Sequence, residues 1–557
     1  MKNISAVKNN LDSLFRRSRY VLAAGAGLLL AAAFPNFSLA GFAWIAPALL
    51  LFAARGQTGA DAFRTGYVGG LAFWLSSLAW LLRIPVTGFP ILGWLALTMY
   101  LALFFGAWVW LVTHAKLRMA SNASWSGRAT WMLLGAALWV ALEMLRARLF
   151  GGFPWNLLGG SQFKLIPLIQ IAAVTGVYGL SFLVAWFALA LVSAAEMICQ
   201  QPAKRHVWQA EIALPLVAVL VCYLGGFFQL EPDRPAEKML RVMLVQPSVP
   251  QSLIWNPGAD EKRFRELLAR SQAALTNETD LVVWPESALP ALDETNYPAI
   301  VAFAQSNHVW LVFNGDDVEV HPGATNFFNA ALLMNPEGRI ANIYHKRQLV
   351  IFGEYVPLAR WLPFLKWFTP IQGGWTPGER PAQFFITRWG AELRAPQIHL
   401  VNNAAEAPAA VKLSPLICFE DVFAGTAREA AADDTDFWVN LTNDGWFGDG
   451  AAQWQHAAGA VFRAVENRKP LLRCANNGVT CWIDGYGRIR QLFTDENGNV
   501  HGSGVLTIEL PLPTATSEVP TFYHRHGDWF GWACVGLTLL NWGRFWRQRT
   551  SSKPATK

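Results

Sequence analysis

Three residues of this chain stand where a short apolar run gives way to polar sequence, and their types suit one chemistry. Cys418 closes the run in Leu416-Ile417-Cys418-Phe419-Glu420-Asp421, Glu286 follows Val283-Trp284-Pro285, and Lys346 lies in Ile343-Tyr344-His345-Lys346-Arg347. Taken singly, such a Cys is usually a buried core residue, the Glu a helix-start or loop carboxylate, and the Lys a surface cation. Together they are more specific. A thiol needs a neighbouring base or cation to act as a thiolate near neutral pH, and a partly buried carboxylate supplies the base. An ammonium beside the reacting carbonyl stabilises an oxyanion, with the backbone N–H of Phe419 as a natural second donor. Glu286, Lys346 and Cys418 in one cleft would make an acyl-transfer site.

The elements that must position them begin at Leu240. Short β-branched or aromatic runs predict strands at 240–246, 280–284, 309–314, 412–418, 436–442 and 471–475, and amphipathic stretches predict helices at 259–276 and 452–468. Mixed strands and helices over this length indicate a layered α/β or α+β domain, whose reactive groups sit at strand ends and on loops. The six cysteines do not make a disulfide scaffold in a chain this long. Cys474 and Cys481 either pair in an oxidising compartment or remain buried thiols. His456, His524 and His526 lack convincing ligand company, and no CxxC, HExxH or EF-hand spacing occurs, so neither a metal nor a cofactor is expected.

The rest of the chain reads differently. Its 557 residues are 53% hydrophobic and only 15% charged, with 27 Trp and 36 Phe, which excludes disorder and an ordinary soluble composition. Apolar stretches predict membrane spans near 20–34, 37–54, 65–83, 92–115, 129–146, 168–198, 208–228 and 527–545, about eight in all. The expected domains are therefore 1–228 with seven spans, 229–523 as the polar domain, and 524–557 as an eighth span with a basic tail. The first span is preceded by basic residues and is short enough for a cleavable signal peptide to be a rival to an uncleaved anchor. Residues 1–228 hold 16 Lys and Arg against 5 Asp and Glu, whereas 229–523 hold 23 against 33. The net charge of +6 thus comes from span-flanking segments around an acidic domain, the opposite of a nucleic-acid footprint. Alternate short loops carry 17 Lys and Arg against 4, which places the acidic domain on the non-cytoplasmic, periplasmic side. Glu143, Arg146 and Arg148 stand close to a span end, where snorkelling is the ordinary expectation, and Gly152-Phe153-Pro154-Trp155-Asn156 reads as an interfacial aromatic turn.

The order Glu286, Lys346, Cys418 resembles the nitrilase superfamily, which implies an α-β-β-α sandwich. More narrowly, the chain resembles the apolipoprotein N-acyltransferase family. The resemblance rests on VQPSVPQSLIWNP at 245–257, VWPESALP at 283–290, YHKRQLVIFGEYVPL at 344–358, ICFEDVF at 417–423 and LTNDGWFG at 441–448, set between seven apolar stretches and one more. It implies Glu286 as general base, Lys346 as oxyanion stabiliser and Cys418 as nucleophile, with Glu354, Glu420 and Trp255 supporting the site or the substrate. It also implies a bacterial inner-membrane enzyme that takes an acyl chain from a phospholipid as a Cys418 thioester. The chain is then passed to the N-terminal amine of a diacylglyceryl apolipoprotein in ping-pong order. The apolar segment 361–368 reads as an arm that touches lipid, in which Phe364→Glu and Trp367→Glu should reduce turnover in membranes. A membrane-tethered amidase and a transporter with a ligand-binding outer domain stand as alternatives. Hydrolysis of a soluble amide without phospholipid favours the first, and the lack of dispersed acidic residues within the spans speaks against the second.

Overall fold

The structure is a computed structural model that describes residues 18–86, 89–117, 124–200, 205–230, 238–357, 359, 361–364, 374–387, 410–512 and 520–551. Two compact units emerge. One comprises Met1–Leu82, Pro90–Leu230 and Arg525–Lys557, the other Arg83–Phe89 and Glu231–His524.

The first unit is helical. Ser18–Ala32, Gly41–Ala53, Gly59–Ser77, Phe89–Leu117, Trp125–Arg146, Val177–Gln200, Arg205–Gln229 and Trp529–Ser551 coincide with the eight apolar stretches. Among the described residues, four helical segments are long and apolar enough to cross a membrane: Pro90–Lys116, Trp125–Arg146, Val177–Cys199 and Trp208–Gln229. The stretch read as one span over 168–198 is broken. Short helices Ile166–Ile169 and Ala172–Thr175 precede Gly176, whose φ of 65° ends the first part before Val177 starts the long helix. Close helix approach is bought by missing side chains: a Cβ on Gly69 would lie 2.5 Å from Leu50 Cδ1.

Glu143 and Arg146 do not snorkel. They are 5% and 4% exposed, because the surrounding helices and the aromatic turn supply partners. Trp139 Nε1 and Leu158 N donate to Glu143 Oε1 at 2.9 and 2.7 Å. Arg146 donates to Trp155 O at 2.8 Å and lies 4.9 Å over the Trp74 ring, while Arg148 pairs with Asp528.

The second unit stacks two six-stranded sheets. One contains β1 (Lys238–Gln246), β2 (Leu281–Val283), β3 (Trp310–His321), β4 (Ala324–Met334), β5 (Ile340–His345) and, at the other end of the unit's sequence, Gly504–Leu512 as β12. The other contains β6 (Phe384–Ile386), β7 (Val411–Ile417), β8 (Phe437–Thr442), β9 (Leu471–Ala475), β10 (Cys481–Ile483) and β11 (Ile489–Leu492). Their orders are β12-β1-β2-β3-β4-β5 and β11-β10-β9-β8-β7-β6, with parallel pairing confined to β1-β2-β3 and β7-β8-β9.

Alternation along the strands sorts the core into layers. Leu240, Val242 and Leu244 of β1 meet Leu413, Ile417, Val439, Leu441 and Leu472 of the facing sheet. Met243 and Val245 point the other way, onto Phe264, Leu267, Ile300 and Phe303 of helices Asp260–Ala274 and Asn296–Asn307. Helices Ala424–Ala430 and Ala451–Asn467 pack on the second sheet, giving an α-β-β-α order.

Candidate active site

Each candidate catalytic side chain follows the C-terminal end of a strand: Glu286 after β2, Lys346 directly after β5, and Cys418 directly after β7. Cys418 opens the 3₁₀ turn Cys418–Val422 with a φ of 53°, in the left-handed region that a side chain enters only at a cost of about 1–3 kcal/mol. The turn thus carries the thiol off the end of the strand, as an elbow. Asn440 Nδ2 donates to Cys418 O at 2.9 Å and braces it.

Lys346 is 1% exposed, and its Nζ lies 3.1 Å from Glu286 Oε1 and 2.8 Å from Glu354 Oε1. Its backbone is fixed on both sides. The Lys346 N–H donates to Asn329 O at 2.8 Å, and Gly378 N donates to Lys346 O at 2.8 Å. Only a glycine fits at 378, since a Cβ there would stand 2.3 Å from His345 O. Asn329 Nδ2 donates to Glu286 Oε1 and Glu354 Oε1, each at 3.0 Å. Its Oδ1 accepts from Asn314 Nδ2 at 2.6 Å, and Asn314 Oδ1 in turn accepts from Ser287 N at 3.0 Å. Asn443 N closes the shell with a 3.1 Å bond to Glu286 Oε2, and Val350 N does the same for Glu354 Oε2 at 2.8 Å.

Glu420, fully buried, ties the lysine loop to the cysteine elbow. Its carboxylate accepts from Ile417 N at 2.8 Å, Arg347 N at 2.7 Å, Gln348 N at 3.0 Å and the Tyr344 hydroxyl at 2.8 Å. Burial pushes its carboxyl above the usual range, although those three N–H bonds favour the charge. Phe419 presents its ring 5.7 Å from Lys346 Nζ and meets Phe423 edge to face. Trp255 enters by a separate route. It is 44% exposed and lies 5.1 Å from Trp446, on a segment joined to the base because Asn443 Nδ2 donates to Gln251 Oε1 at 3.0 Å.

The electrostatics separate the roles. Burial opposes the charge on Lys346, but Glu286 and Glu354 more than offset it and hold the ammonium well above its ordinary pKa. Burial and then the Glu286 carboxylate push the Cys418 thiol well above its ordinary value, with Lys346 pulling the other way. The Cys418 sulfur is therefore held toward the thiol form beside the Glu286 carboxyl group, and the Lys346 amine toward its charged form. Such a set suits proton removal during attack and stabilisation of an oxyanion.

The structure brings Glu286, Lys346, Glu354, Cys418, Phe419 and Glu420 around one point. Sequence reasoning missed Asn329 and Asn443, which reach the carboxylates from β4 and from the turn after β8, and Asn314, which braces Asn329; of these only Asn443 lay in a quoted motif. It also left His456 without company, whereas the ring contacts Asp421 and Asp444, each at 2.7 Å. Cys474 and Cys481 are both free and buried. They point to opposite faces: Cys481 sits directly across from Arg473, the neighbour of Cys474, so a disulfide between them is excluded. Among the described residues, one group could hold a cation: Asp317, Glu319 and His345, whose ligand atoms lie within 4.8 Å of one another. Segment 365–373, including Trp367, lies outside the described residues, while Trp361, Leu362 and Phe364 are exposed.

Residues 26–190 match the apolipoprotein N-acyltransferase N-terminal domain, and residues 241–517 match the carbon-nitrogen hydrolase family. An apolipoprotein N-acyltransferase of Geobacter metallireducens is 35% identical over 94% of this chain and 95% of its own. One from Vibrio vulnificus is 30% identical over 97% and 99%. Among solved structures, Nit3 of Saccharomyces cerevisiae, a nitrilase-superfamily member, covers 50% of this chain at 17% identity with a TM-score of 0.35. On the full-length match to those relatives, the chain belongs to the apolipoprotein N-acyltransferase family, its second unit being a nitrilase-like domain.

Proposed function

We propose that this chain moves an acyl chain from a phospholipid to the N-terminal amine of a diacylglyceryl-cysteine on an apolipoprotein, through a Cys418 thioester. The observation that carries the reading is the Lys346 ammonium, buried between Glu286 and Glu354 beside the Cys418 elbow. Glu286 takes the thiol proton as sulfur attacks the ester carbonyl carbon, and Lys346 with the Phe419 N–H stabilises the oxyanion. The carbon–oxygen bond breaks, the proton passes from Glu286 to the leaving alkoxide, and a lysophospholipid departs. In the second half, the neutral α-amine attacks the thioester, Glu286 accepts its proton, and the carbon–sulfur bond breaks. The same proton returns to the sulfur, leaving an amide.

Glu354 keeps Lys346 charged and in place, and Glu420 holds the lysine loop against the elbow. Trp255, half exposed, borders the substrate. The apolar residues Trp361, Leu362 and Phe364 are exposed close in sequence to the lysine loop, which suits a lipid donor. In the same reading, residues 1–228 cross a bacterial inner membrane seven times, 229–523 form the periplasmic catalytic domain, and 524–557 supply the eighth span and a cytoplasmic tail.

Mass spectrometry of the purified protein after incubation with phospholipid is the test. A hydroxylamine-sensitive acyl adduct on the Cys418 peptide is expected in wild type and not in Cys418→Ala. A turnover-competent preparation without that adduct overturns the thioester mechanism, and hydrolysis of a soluble amide without lipid would point to an amidase instead.

A further inference from the structure

His456, in helix Ala451–Asn467, is 1% exposed. Its Nδ1 lies 2.7 Å from Asp444 Oδ1 and its Nε2 2.7 Å from Asp421 Oδ1. Ionised carboxylate oxygens only accept, so two such contacts require a proton on each ring nitrogen. Arg473 of β9, fully buried, donates to the remaining oxygens: to Asp421 Oδ2, and to Asp444 Oδ2 at 3.1 Å. Two cations and two carboxylates thus cancel in a buried cluster.

The placement gives the cluster its consequence. Asp421 belongs to the 3₁₀ turn that begins with Cys418. Asp444 directly follows Asn443, whose backbone N–H holds Glu286 Oε2 at 3.1 Å. His456 therefore bonds to the turn that carries the thiol and to the turn that fixes the base. We propose that His456 is a positioning residue: as a doubly hydrogen-bonded cation between Asp421 and Asp444, it keeps Cys418 and Glu286 in register for proton transfer. The inference rests on the acyl-transfer reading above.

The groups facing the ring are Asp421 from the elbow, Asp444 from the turn after β8 and Arg473 from β9, with the Cys481 thiol of β10 beside Arg473. Burial disfavours the imidazolium, Asp421 and Asp444 favour it, Arg473 opposes it, and the net effect raises the His456 pKa to about 9. Deprotonation near that pH removes one of the two donors and opens the bridge.

The test uses full-length protein in detergent with a phospholipid that has no titrating amine. It compares wild type, His456→Gln and the double variant His456→Gln/Asp421→Asn. Gln reaches one carboxylate and carries no charge, so Cys418 acylation in His456→Gln should slow at least 50-fold while the apparent phospholipid KM stays within threefold. The double variant, which removes the matching negative charge, should recover at least fivefold of that loss. Wild-type acylation should fall as pH rises through about 9. Capture of Cys418 by iodoacetamide needs no lipid and should slow in His456→Gln as well. A wild type that forms no acyl-enzyme defeats the acyl-transfer reading, and the alkylation rates then still judge the positioning role. The role is overturned if folded His456→Gln stays within threefold of wild type in both acylation and alkylation. Should His456→Gln not accumulate, the wild-type profile decides: a fall near pH 9 supports the role, and a flat profile from pH 8 to 10 overturns it.

Discussion

Two charged clusters lie buried in the second unit, and they are built on opposite principles. Around His456 and Arg473, two cations face two carboxylates, and each carboxylate meets both cations. Around Lys346, one cation faces two carboxylates, and the surplus is held by neutral donors: Asn329 Nδ2, Asn443 N and Val350 N. A balanced cluster has little to gain from taking up another proton. An unbalanced one leaves one carboxylate charge without a cation of its own, held by neutral donors alone. The contrast teaches that burial of charge marks both scaffold and chemistry here, and that stoichiometry separates them.

Changes on the unbalanced side should cost activity first. Cys418→Ala should leave no acyl-enzyme and turnover at background with an unchanged melting temperature. Glu286→Gln, measured in the same single-turnover assay, should slow acylation by about 10²–10⁴, the range for a lost general base. Lys346→Met should cost about 10²–10³ in turnover and, by stranding the Glu286 and Glu354 carboxylates, about 3–5 kcal/mol of stability in denaturant titration. If Lys346→Met instead leaves stability unchanged, the two carboxylates are not both ionised in the resting site and the contrast fails. Glu354→Gln brings the lysine cluster to one charge of each sign, and about a tenfold loss of turnover is expected, less than for Glu286→Gln because Glu354 does not move the proton.

The balanced side should show itself in stability against pH. His456 has a folded pKa raised to about 9 from 6.5, so its contribution is fully present below about pH 6.5 and is lost as pH rises through 9. Melting temperatures across pH 6–10 should fall over that window, by an amount equivalent to about 3 kcal/mol at most. The fall should be absent in His456→Gln. Trp255→Ala, at a half-exposed position outside both clusters, should change stability by less than about 0.5 kcal/mol and turnover a few-fold.

The strands legible in the sequence were β1, β2, β3, β7, β8 and β9, the six joined by parallel pairing. Parallel strands are covered on both faces and therefore read as unbroken apolar runs. The antiparallel members β4, β5, β6, β11 and β12 carry exposed positions that blur the pattern, and β10 is only three residues long; β11 reads Ile489-Arg490-Gln491-Leu492 with its middle residues exposed. Glu286 and Cys418 were visible because each follows a legible strand, whereas Lys346 follows β5, which was not legible, and stood out only through the motif it shares with the family. Asn329 was not visible, since it is an interior residue of β4 and meets the carboxylates only once the sheet pairs. The charges at Glu143 and Arg146 were seen but misjudged: sequence position suggested the interface, while partners from the turn at 155–158 allowed burial.

Glu420 has one more implication. By accepting from Arg347 and Gln348 on one side and Ile417 on the other, a single carboxylate fastens both ends of the chain between Gln348 and Ile417. Residues added to that intervening stretch lengthen a loop whose closure entropy grows only slowly with length. Lengthening that stretch therefore need not retune the placement of the Lys346 ammonium against the Cys418 elbow.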